Sequence, residues 1–256
     1  MLAWYKRWSN RLKINIKLNE RILESINEIK DYNRLDADSI FRFPMLGEEV
    51  KLYLPYAGFD LIQREILSSA DFYEGEVLRY IRKTYFNGSR CKVLDIGGNI
   101  GNHAVFFAKF CNAEVITFEP QPAIYKILKK NIELNSLDVT AHNFALGEMT
   151  GRAIIKDYES TNTGGTQISE SASGDIQIYA LDDFNFENVY FVKIDVEWFE
   201  SNVLKGGRNT FLKLKPIIWI EIWPDSYSEV GAILNDLGYI RKEQLDERNY
   251  IFVSQK

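Results

Sequence analysis

The sequence contains few of the residues that form metal centres and disulfide frameworks. Among 256 residues there are two cysteines and two histidines, and Cys91 and Cys111 form no CxxC pair. A structural zinc site takes several cysteine or histidine ligands at short spacings, and a disulfide framework takes several cysteine pairs. The sequence therefore predicts neither, and we expect both thiols to be reduced and buried.

Long apolar runs are also missing. No stretch approaches the ~20 apolar residues that span a bilayer, so the sequence predicts no transmembrane helix. Basic residues interrupt the apolar segment that a secretory signal peptide would require near the N-terminus, namely Lys6, Arg7, Arg11 and Lys13. We therefore expect a cytoplasmic protein.

Charge of either sign is not in large excess. The formal net charge is −5, and 46% hydrophobic with 14% aromatic residues exclude intrinsic disorder. A mildly acidic chain is not typical of a general nucleic-acid binder, so we expect no nucleic-acid partner. The basic residues are concentrated at the start, since residues 1–18 carry +5 with no acid, which leaves −10 on the rest.

This basic N-terminal segment has helical periodicity. Apolar residues recur at spacings of three, four and seven, which predicts a helix over residues 5–31, with Trp8, Leu12, Ile16, Leu23, Ile26 and Ile29 on one face. Such a helix could make a peripheral membrane contact, pair with a second subunit in a homo-oligomer, or pack on its own domain. Residues 32–50 are predicted to be a linker, with Pro44 and Gly47 as breakers. A short strand at residues 50–54 and a helical stretch at residues 59–85 are predicted to follow.

From residue 91 onward, strand and helix patterns alternate. Strands are predicted at residues 92–96, 114–118, 139–145, 189–196 and 217–222, and helices at 102–110, 123–135, 200–213 and 226–237. This alternation predicts an α/β fold with a doubly wound, mostly parallel sheet. Residues 151–184 lack helical periodicity and predict a β insertion, and residues 239–243 and 250–254 predict a terminal antiparallel hairpin. We therefore divide the chain into an N-terminal helical extension and cover at 1–90 and a catalytic domain at 91–256.

A glycine-rich turn follows the first of these strands. Residues 95–101 have the sequence DIGGNIG, and Glu119 ends the next strand, 22 residues after Gly97. Glycines let the backbone approach a ligand closely, and the following helix N-terminus offers free N–H groups. A carboxylate at the second strand end can accept hydrogen bonds from both ribose hydroxyls. The pattern predicts a cofactor that contains adenosine, either a nicotinamide dinucleotide or S-adenosylmethionine.

Acidic residues mark the ends of two later strands. Strand periodicity places Lys193, Asp195 and Glu197 on one face, and Glu221 interrupts an apolar run at the same end of the sheet. Charges in a central strand are costly unless they are paired or functional. Asp195, Glu197 and Glu221 are therefore candidate catalytic bases, and the same carboxylates could hold a divalent cation.

Three further features have more than one interpretation. His103 lies in the first turn of the helix after the glycine loop and is either a base or a capping residue. His142 lies inside a strand and is expected to be structural. Residues 162–166, with the sequence NTGGT, form either a lid or a mobile turn.

Several of these segments together resemble one family of enzymes. The matching text is VLDIGGNIGNHAVFFA, VITFEPQPAIYKILKKNIELN, NFALGE, TNTGGTQIS, ALDDF and VKIDVEWFESNVLKGG, in that order along the chain. This text resembles class I S-adenosylmethionine-dependent methyltransferases, and specifically the FkbM family. The resemblance covers residues 91–240, and it implies a Rossmann-like seven-stranded sheet.

The resemblance also implies a cofactor and a reaction. The cofactor would be S-adenosylmethionine, bound by Asp95, Gly97, Gly98, Asn99 and Gly101 at its methionine end, by Glu119 at the ribose, and by Asn143 and Ala145 beside the adenine. The enzyme would be an O-methyltransferase that acts on a hydroxyl of a glycan or a natural product. The family has glycine after Asp-Val-Glu, whereas this chain has Trp198, which we expect to reshape the substrate pocket.

Two other functions fit the same residues. A nicotinamide-dependent oxidoreductase could use the glycine loop and Glu119, although GGNIG is not the GxGxxG spacing of that class. A chain that keeps the cofactor fold could also be non-catalytic and act as an interaction protein through residues 1–35. A comparison of NADH binding with S-adenosylhomocysteine binding tests the oxidoreductase alternative. A methyl-transfer assay tests the non-catalytic alternative.

Overall fold

The computed structural model of the protein describes residues 34–157 and 161–255. The helix predicted at residues 5–31 lies outside the described residues, so its membrane or subunit contact stays a prediction. Within the described residues, none of the helices combines the length and the apolar character needed to cross a membrane.

A β-hairpin occupies the segment predicted to be a linker, and that prediction is wrong. Its strands are β1 (Ile40–Met45) and β2 (Glu48–Tyr53), which pair antiparallel. Alternate residues of β1 from Phe41 onward are buried, and Pro44 lies on the exposed side, where its missing N–H costs little. Gly47 supplies a φ of +85° at the turn. A strand forms here despite Pro44 and Gly47 because alternate side chains of the hairpin are buried against the core.

The stretch predicted as helical over residues 59–85 is two helices. They are α1 (Leu61–Ser69) and α2 (Gly75–Tyr85). Left-handed backbone at Ala70 and Glu74, with φ of 54° and 56°, ends the first helix and precedes the second. The Asp60 side chain caps α1 by accepting a hydrogen bond from the Gln63 N–H at 3.0 Å.

A seven-stranded sheet forms the centre of the domain, as the sequence predicts. Its strands are β3 (Cys91–Ile96), β4 (Ala113–Phe118), β5 (Val139–His142), β10 (Val189–Ile194), β11 (Ile217–Glu221), β12 (Tyr239–Gln244) and β13 (Asn249–Ser254). Their order is β12-β13-β11-β10-β3-β4-β5, and only β13 runs against the rest. The terminal pair is the predicted antiparallel hairpin. The direction in which successive strands are added to the sheet reverses between β3 and β10. Sheets of this kind bind ligands at that point.

Helices connect the strands and cover both faces. They are α3 (Asn102–Phe110), α4 (Pro122–Asn135), α5 (Glu200–Gly206), α6 (Arg208–Leu214) and α7 (Tyr227–Asp236). The single helix predicted over 200–213 is divided at Gly207, where a Cβ would lie 2.6 Å from the Phe211 ring. Gly238, with φ of +78°, follows the last helix as expected.

A second, smaller sheet occupies the region of the predicted β insertion. Its strands are β6 (Ala145–Gly147), β7 (Gly151–Asp157), β8 (Gln167–Glu170) and β9 (Ile176–Ala180), in the order β6-β9-β7-β8. The strand predicted over 139–145 ends at His142, and the chain then leaves the central sheet to form β6. This departure brings residues 162–166, which precede β8, back over the carboxyl ends of the parallel strands.

The two faces of the central sheet have separate apolar cores. On one face, Val93 and Trp219 pack with α3, α4, both N-terminal helices and the hairpin. On the other face, Leu94, Val192 and Ile218 pack with α5, α6 and α7. Residues 34–90 therefore share a core with the sheet, and the domain boundary placed at residue 90 stays a prediction. Both cysteines are free, and Cys111 is buried, but Cys91 at the start of β3 is only partly buried, so the expectation of two buried thiols is wrong for Cys91.

Candidate active site

A cavity of about 390 Å³ opens at the carboxyl ends of the parallel strands. The loops after β3, β4, β10 and β11 form its floor, and residues 144–146 and 162–168 form one side. The start of α1, the turn before α2 and Arg248 in the last hairpin complete the wall. Polar groups that converge in one such cavity are the usual sign of a binding site.

Glycines shape the loop between β3 and α3. Gly97 has φ of +86°, and a Cβ there would lie 1.7 Å from the carbonyl oxygen of Asp195. At Gly98, a Cβ would lie 2.1 Å from Thr117 Oγ1. Gly101, with φ of +85°, is the residue before α3. Only glycine allows this loop to cross so close to β4 and β10, and its backbone therefore forms part of the cavity floor.

Asp95 supports this loop from below and is absent from the cavity wall. Its side chain is fully buried, and Oδ2 accepts a hydrogen bond from Thr117 Oγ1 at 3.1 Å. The Oδ1 atom has no partner among the described residues. Burial raises the pKa of Asp95, against the lowering effect of the Lys193 charge. The structure thus places Asp95 one layer beneath the expected cofactor loop.

Glu119 lies at the end of β4 and lines the cavity, as the sequence predicts. It is 4% exposed, and its two oxygens accept hydrogen bonds from the Asn99 N–H at 2.9 Å and the Gln121 N–H at 2.8 Å. Burial raises its pKa to about 7, although both backbone hydrogen bonds lower it. Each oxygen keeps a free lone pair, so the carboxylate can still receive two hydroxyl donors.

The two residues expected beside an adenine differ in position. Ala145 lines the cavity next to Phe144. Asn143 is outside the wall, where its Nδ2 donates to the carbonyl oxygens of Glu119 and Pro120 at 2.8 and 3.1 Å. Asn143 therefore holds the loop that carries Glu119. His142 stacks on the Phe118 ring with 5.3 Å between centroids, an arrangement that agrees with its expected structural role.

The segment at residues 162–166 forms a fixed wall of the cavity in this structure. The Thr163 N–H and Oγ1 both donate to Asp60 Oδ2 at 2.8 Å, and Gln121 Nε2 donates to the Thr163 carbonyl at 3.1 Å. Asn162 and Thr166 line the cavity, and their Oδ1 and Oγ1 atoms are buried without partners in the described part of the chain. Such unpaired atoms are expected to bind a ligand or water. Opening of this segment as a lid stays a prediction.

Four charged residues meet on the other side of the glycine loop. Lys193, which is 3% exposed, places Nζ 3.0 Å from Asp195 Oδ2. Ligand oxygens of Asp195, Glu197 and Glu221 lie within 4.8 Å of one another. β10 ends at Ile194, so Glu197 reaches this cluster through a turn after the strand and not along the strand face.

The pKa values in this cluster separate the roles of its carboxyls. Burial would raise the pKa of Asp195, but the Lys193 ammonium and a hydrogen bond from Glu221 outweigh it, and the net effect lowers that pKa. Burial and the charge of Asp195 raise the pKa of Glu221. Asp195 is therefore the more acidic carboxyl of the pair, and Glu221 is the donor in the hydrogen bond between them. Burial, followed by the Asp195 charge, raises the pKa of Glu197 to about 7.

One oxygen of each carboxyl already has a donor from the protein. Lys193 contacts Asp195 Oδ2, Arg248 Nε lies 3.2 Å from Glu221 Oε1, and Trp223 Nε1 donates to Glu197 Oε2 at 3.2 Å. Oxygen ligands suit a divalent cation, but the Lys193 and Arg248 charges beside these oxygens would repel one. The set does not favour a cation, and we assign no step to one.

The turn that carries Glu197 and Trp198 has unusual backbone geometry. Both residues have positive φ, +50° and +74°. A left-handed conformation costs a non-glycine residue about 1–2 kcal/mol, and a bulky side chain there is rare. The Trp198 N–H donates to Glu200 Oε1 at 3.2 Å, which helps to hold the turn. A glycine at 198, which the resemblance to the family leads us to expect, would relax this backbone.

His103 also lines the cavity, and it has a partner that the sequence analysis missed. Its Nε2 lies 2.9 Å from Glu74 Oε2, and Glu74 Oε1 accepts a hydrogen bond from Asn249 Nδ2 at 3.2 Å. The imidazole also contacts the Trp219 ring edge to face. Glu74 comes from the segment interpreted as cover, 29 residues before His103, and no local pattern connects the two.

A comparison of the sequence with known families identifies the domain. A profile described as "Methyltransferase FkbM domain" matches residues 95–250, which include the glycine loop, Glu119 and the acidic cluster. The chain belongs to the FkbM methyltransferase family. The match begins near the end of β3 and ends near the start of β13, so it covers the insertion and the central sheet apart from most of these two strands.

Individual relatives of this FkbM domain are distant. "Methyltransferase 1" of Beauveria bassiana is 27% identical over 142 residues, which are 44% of this chain and 57% of that protein. "Hexuronic acid methyltransferase AglP" of Haloferax volcanii is 27% identical over 128 residues, 48% of this chain and 53% of that protein. The chain thus matches only about half the length of these two relatives.

Matches to solved structures have low sequence identity and TM-scores below 0.5. A methyltransferase FkbM from Methylobacillus flagellatus KT is 18% identical, with 91% of this chain and 59% of that chain covered and a TM-score of 0.47. TrmK of M. capricolum, solved with S-adenosylhomocysteine, is 13% identical, with 69% and 66% covered and a TM-score of 0.41.

The structure brings most of the expected site residues of this FkbM domain together. Cavity-lining residues include Gly97, Asn99, Glu119, Ala145, His103, Asp195, Glu197 and Glu221. Asp95, Gly98, Gly101 and Asn143 support these residues from outside the wall. The sequence analysis missed Glu74, Trp223 and Arg248. For Trp223, a signal was available, because it follows the carboxyl end of β11 by two residues.

Proposed function

We propose that the protein is an S-adenosylmethionine-dependent O-methyltransferase that acts on a hydroxyl of a saccharide. The observation that carries the proposal is the division of the cavity by the glycine loop. On the β4 and β5 side lie Glu119 and the polar atoms of residues 162–166, and on the β10 and β11 side lies the acidic cluster. One half suits a nucleoside, and the other suits hydroxyl groups.

The cofactor half has the groups that S-adenosylmethionine needs. Glu119 has two free lone pairs for the ribose hydroxyls. The closely packed backbone of Gly97 and Asn99 allows the methionine end of the cofactor to lie along the loop. The unpaired oxygens of Asn162 and Thr166 can accept hydrogen bonds from amino groups. When it is bound, the cofactor supplies an electrophilic methyl group on a sulfonium.

The acceptor half has the groups that a hydroxyl needs. Ionised Asp195 lies directly beside the glycine loop, and its side chain is 31% exposed toward the cavity. It can accept the hydroxyl hydrogen bond and orient the oxygen, while Lys193 and Glu221 fix its position. As the methyl group moves from the sulfonium to the hydroxyl oxygen, the Asp195 carboxylate accepts the hydroxyl proton and the thioether leaves. Removal of the proton by a placed base is worth ~10²–10⁴-fold in rate.

The saccharide class is supported by the number of acceptors in this half. Several carboxyl oxygens line a small volume, and a polyhydroxylated ring can donate to more than one of them. One relative, from Haloferax volcanii, is named as a hexuronic acid methyltransferase, and its similarity is consistent with a saccharide acceptor.

The test combines binding with transfer. We expect Asp195→Asn to lower methyl transfer from labelled S-adenosylmethionine to saccharide acceptors by ~10²–10⁴-fold, and S-adenosylhomocysteine affinity measured by calorimetry to stay within about threefold. Asp138→Asn, which changes an exposed carboxylate of a surface ion pair, is the matched control. Tight NADH binding without S-adenosylhomocysteine binding would contradict the proposal.

A further inference from the structure

Two indole rings are stacked at the acceptor side of the cavity. Trp198 and Trp223 lie with 5.2 Å between ring centroids and 13° between planes, and both line the cavity. Trp198 is 41% exposed, whereas Trp223 is half-buried beneath it. A large exposed aromatic side chain beside converging polar groups marks a place where a ligand can be covered.

The lower ring of this stack is held firmly. The Arg248 guanidinium lies 4.1 Å from the centroid of the Trp223 ring and also bonds to Glu221. The indole N–H of Trp223 donates to Glu197 Oε2 at 3.2 Å. The stack and the acidic cluster therefore form one connected unit, so a ligand on the stack is placed relative to the carboxyls.

The upper ring belongs to Trp198, whose backbone conformation is unfavourable for a residue with a bulky side chain. Trp198 has φ of +74° and follows Glu197 with φ of +50°. Unfavourable backbone of this kind persists where the surrounding structure fixes it, and it is concentrated at ligand sites. The side chain at 198 gives the fold no buried core contact, since it projects to the surface of the cavity. An exposed indole on this unfavourable backbone points to a binding role.

The chemistry of the stack and its rim favours a pyranose ring. The face of an indole is negative and attracts the weakly positive C–H hydrogens of an apolar face. A pyranose presents such a face and carries hydroxyls around its edge, where Asp195, Glu197 and Glu221 supply acceptors. A planar aromatic acceptor would stack equally well but has few hydroxyls for these acceptors.

We propose that Trp198, stacked on Trp223, forms a platform that binds one pyranose ring of the acceptor saccharide. This inference rests on the proposed function, because it places the acceptor beside the acidic cluster. Which sugar is accepted depends on the ring face that lies on Trp198. The hydroxyl that lies next to Asp195 is the one that reacts.

Saturation-transfer NMR with the full chain tests the platform. The probes are methyl β-D-glucopyranoside, methyl β-D-glucopyranosiduronate and methyl α-D-mannopyranoside, with 4-methylcatechol as the planar aromatic probe, all with saturating S-adenosylhomocysteine. We expect at least one saccharide to receive saturation on the ring protons of one face. Trp198→Gly, which relaxes the backbone, should weaken its binding about tenfold, whereas Trp198→Phe, which keeps an aromatic face, should stay within about threefold.

Three results would overturn the platform. They are saccharide binding that is equal in Trp198→Gly and the unaltered protein, saturation of 4-methylcatechol alone, and saturation of none of the saccharides. Calorimetry with S-adenosylhomocysteine on every variant separates this failure from that of the proposed function. If S-adenosylhomocysteine binds and Trp198→Gly has no effect, the platform alone is wrong; if it does not bind at all, the proposed function is wrong as well.

Discussion

At the scale of single residues, the site depends on positions where the backbone leaves no room for a side chain. Gly97 combines positive φ with close contact to the end of β10, so both conformation and space demand glycine. Glu119 combines burial with two backbone hydrogen bonds, which fix its orientation before any ligand binds. Both residues would preorganise the half of the cavity that we propose binds the cofactor.

Replacement of two glycines separates conformational strain from steric clash. Gly88→Ala, at φ of +85° with no atom within 4 Å of the new Cβ, should lower the free energy of unfolding by about 1–2 kcal/mol. Gly97→Ala has nearly the same φ but also places a Cβ 1.7 Å from a carbonyl oxygen, so we expect a loss at least about 2 kcal/mol greater. Urea unfolding measures both, and equal losses would contradict the assigned role of the close approach.

Removal of the charge at Glu119 tests the ribose site. We expect Glu119→Gln to weaken S-adenosylhomocysteine binding by about 10–100-fold, because hydrogen bonds to a charged acceptor are worth about 1.5–3 kcal/mol. Calorimetric titration measures the change, with Asp138→Asn as the control for loss of a carboxylate elsewhere. Unchanged affinity in Glu119→Gln would show that this carboxylate does not bind the cofactor.

At the scale of elements, one part of the cavity wall is the segment at residues 162–166, which precedes β8 of the smaller sheet. This segment is held against the start of α1, from a distant part of the chain. Asp60 uses one oxygen to cap α1 and the other to hold Thr163, 103 residues away. The start of α1 and the segment at residues 162–166 are therefore coupled through one buried carboxylate. This coupling explains why a Gly-rich segment forms a defined wall.

Substitution at Asp60 should loosen the wall without unfolding the helix. Asparagine is a good N-cap, so Asp60→Asn keeps the cap of α1, but its amide would face the Thr163 N–H donor against donor. We expect faster hydrogen exchange at residues 161–166 with unchanged exchange at Gln63. Asp60→Ala removes both interactions and should speed exchange in both places. Equal exchange at residues 161–166 in the asparagine variant and the unaltered protein would refute the clamp.

At the scale of the whole molecule, several buried carboxyls couple stability to pH. Burial raises the pKa of Glu119, Glu197 and Glu200 from 4.5 to about 7. Between these values the folded protein keeps protons that the unfolded chain has released, so the free energy of unfolding falls as pH rises through this window. Each group contributes a slope of at most about 1.36 kcal/mol per pH unit.

The contribution of one group can be measured directly. Glu200 is 1% exposed, and its Oε2 has no partner among the described residues. Glu200→Gln cannot titrate, so urea unfolding between pH 4.5 and 7 should show a slope reduced by up to about 1.36 kcal/mol per pH unit. Glu187→Gln, at an exposed position, should keep the original slope. An unaltered slope in Glu200→Gln would contradict the burial effect.

Several features of the fold and of the cofactor half were predictable from the sequence because their signals are local. The alternation of β3, α3, β4 and α4, the glycine turn and Glu119 each depend on residues close together in the chain. The short strand expected at residues 50–54 corresponds to β2, but β1 was missed because its pattern is short and contains Pro44. The break at Gly207 was missed because this glycine also packs against Leu181, where a Cβ would lie 2.8 Å from the side chain, and Leu181 is distant in the chain.

The sequence by itself thus determined the layered fold, the cofactor loop and the acidic strand ends, since periodicity and turn chemistry are properties of short segments. Only the tertiary structure decided which distant residues meet. Glu74 reaches His103, Asp60 reaches Thr163 and Arg248 reaches Trp223 because the order of the strands brings their loops to one edge of the sheet. The physical reason is that strand order fixes these contacts, and sequence spacing carries no record of it.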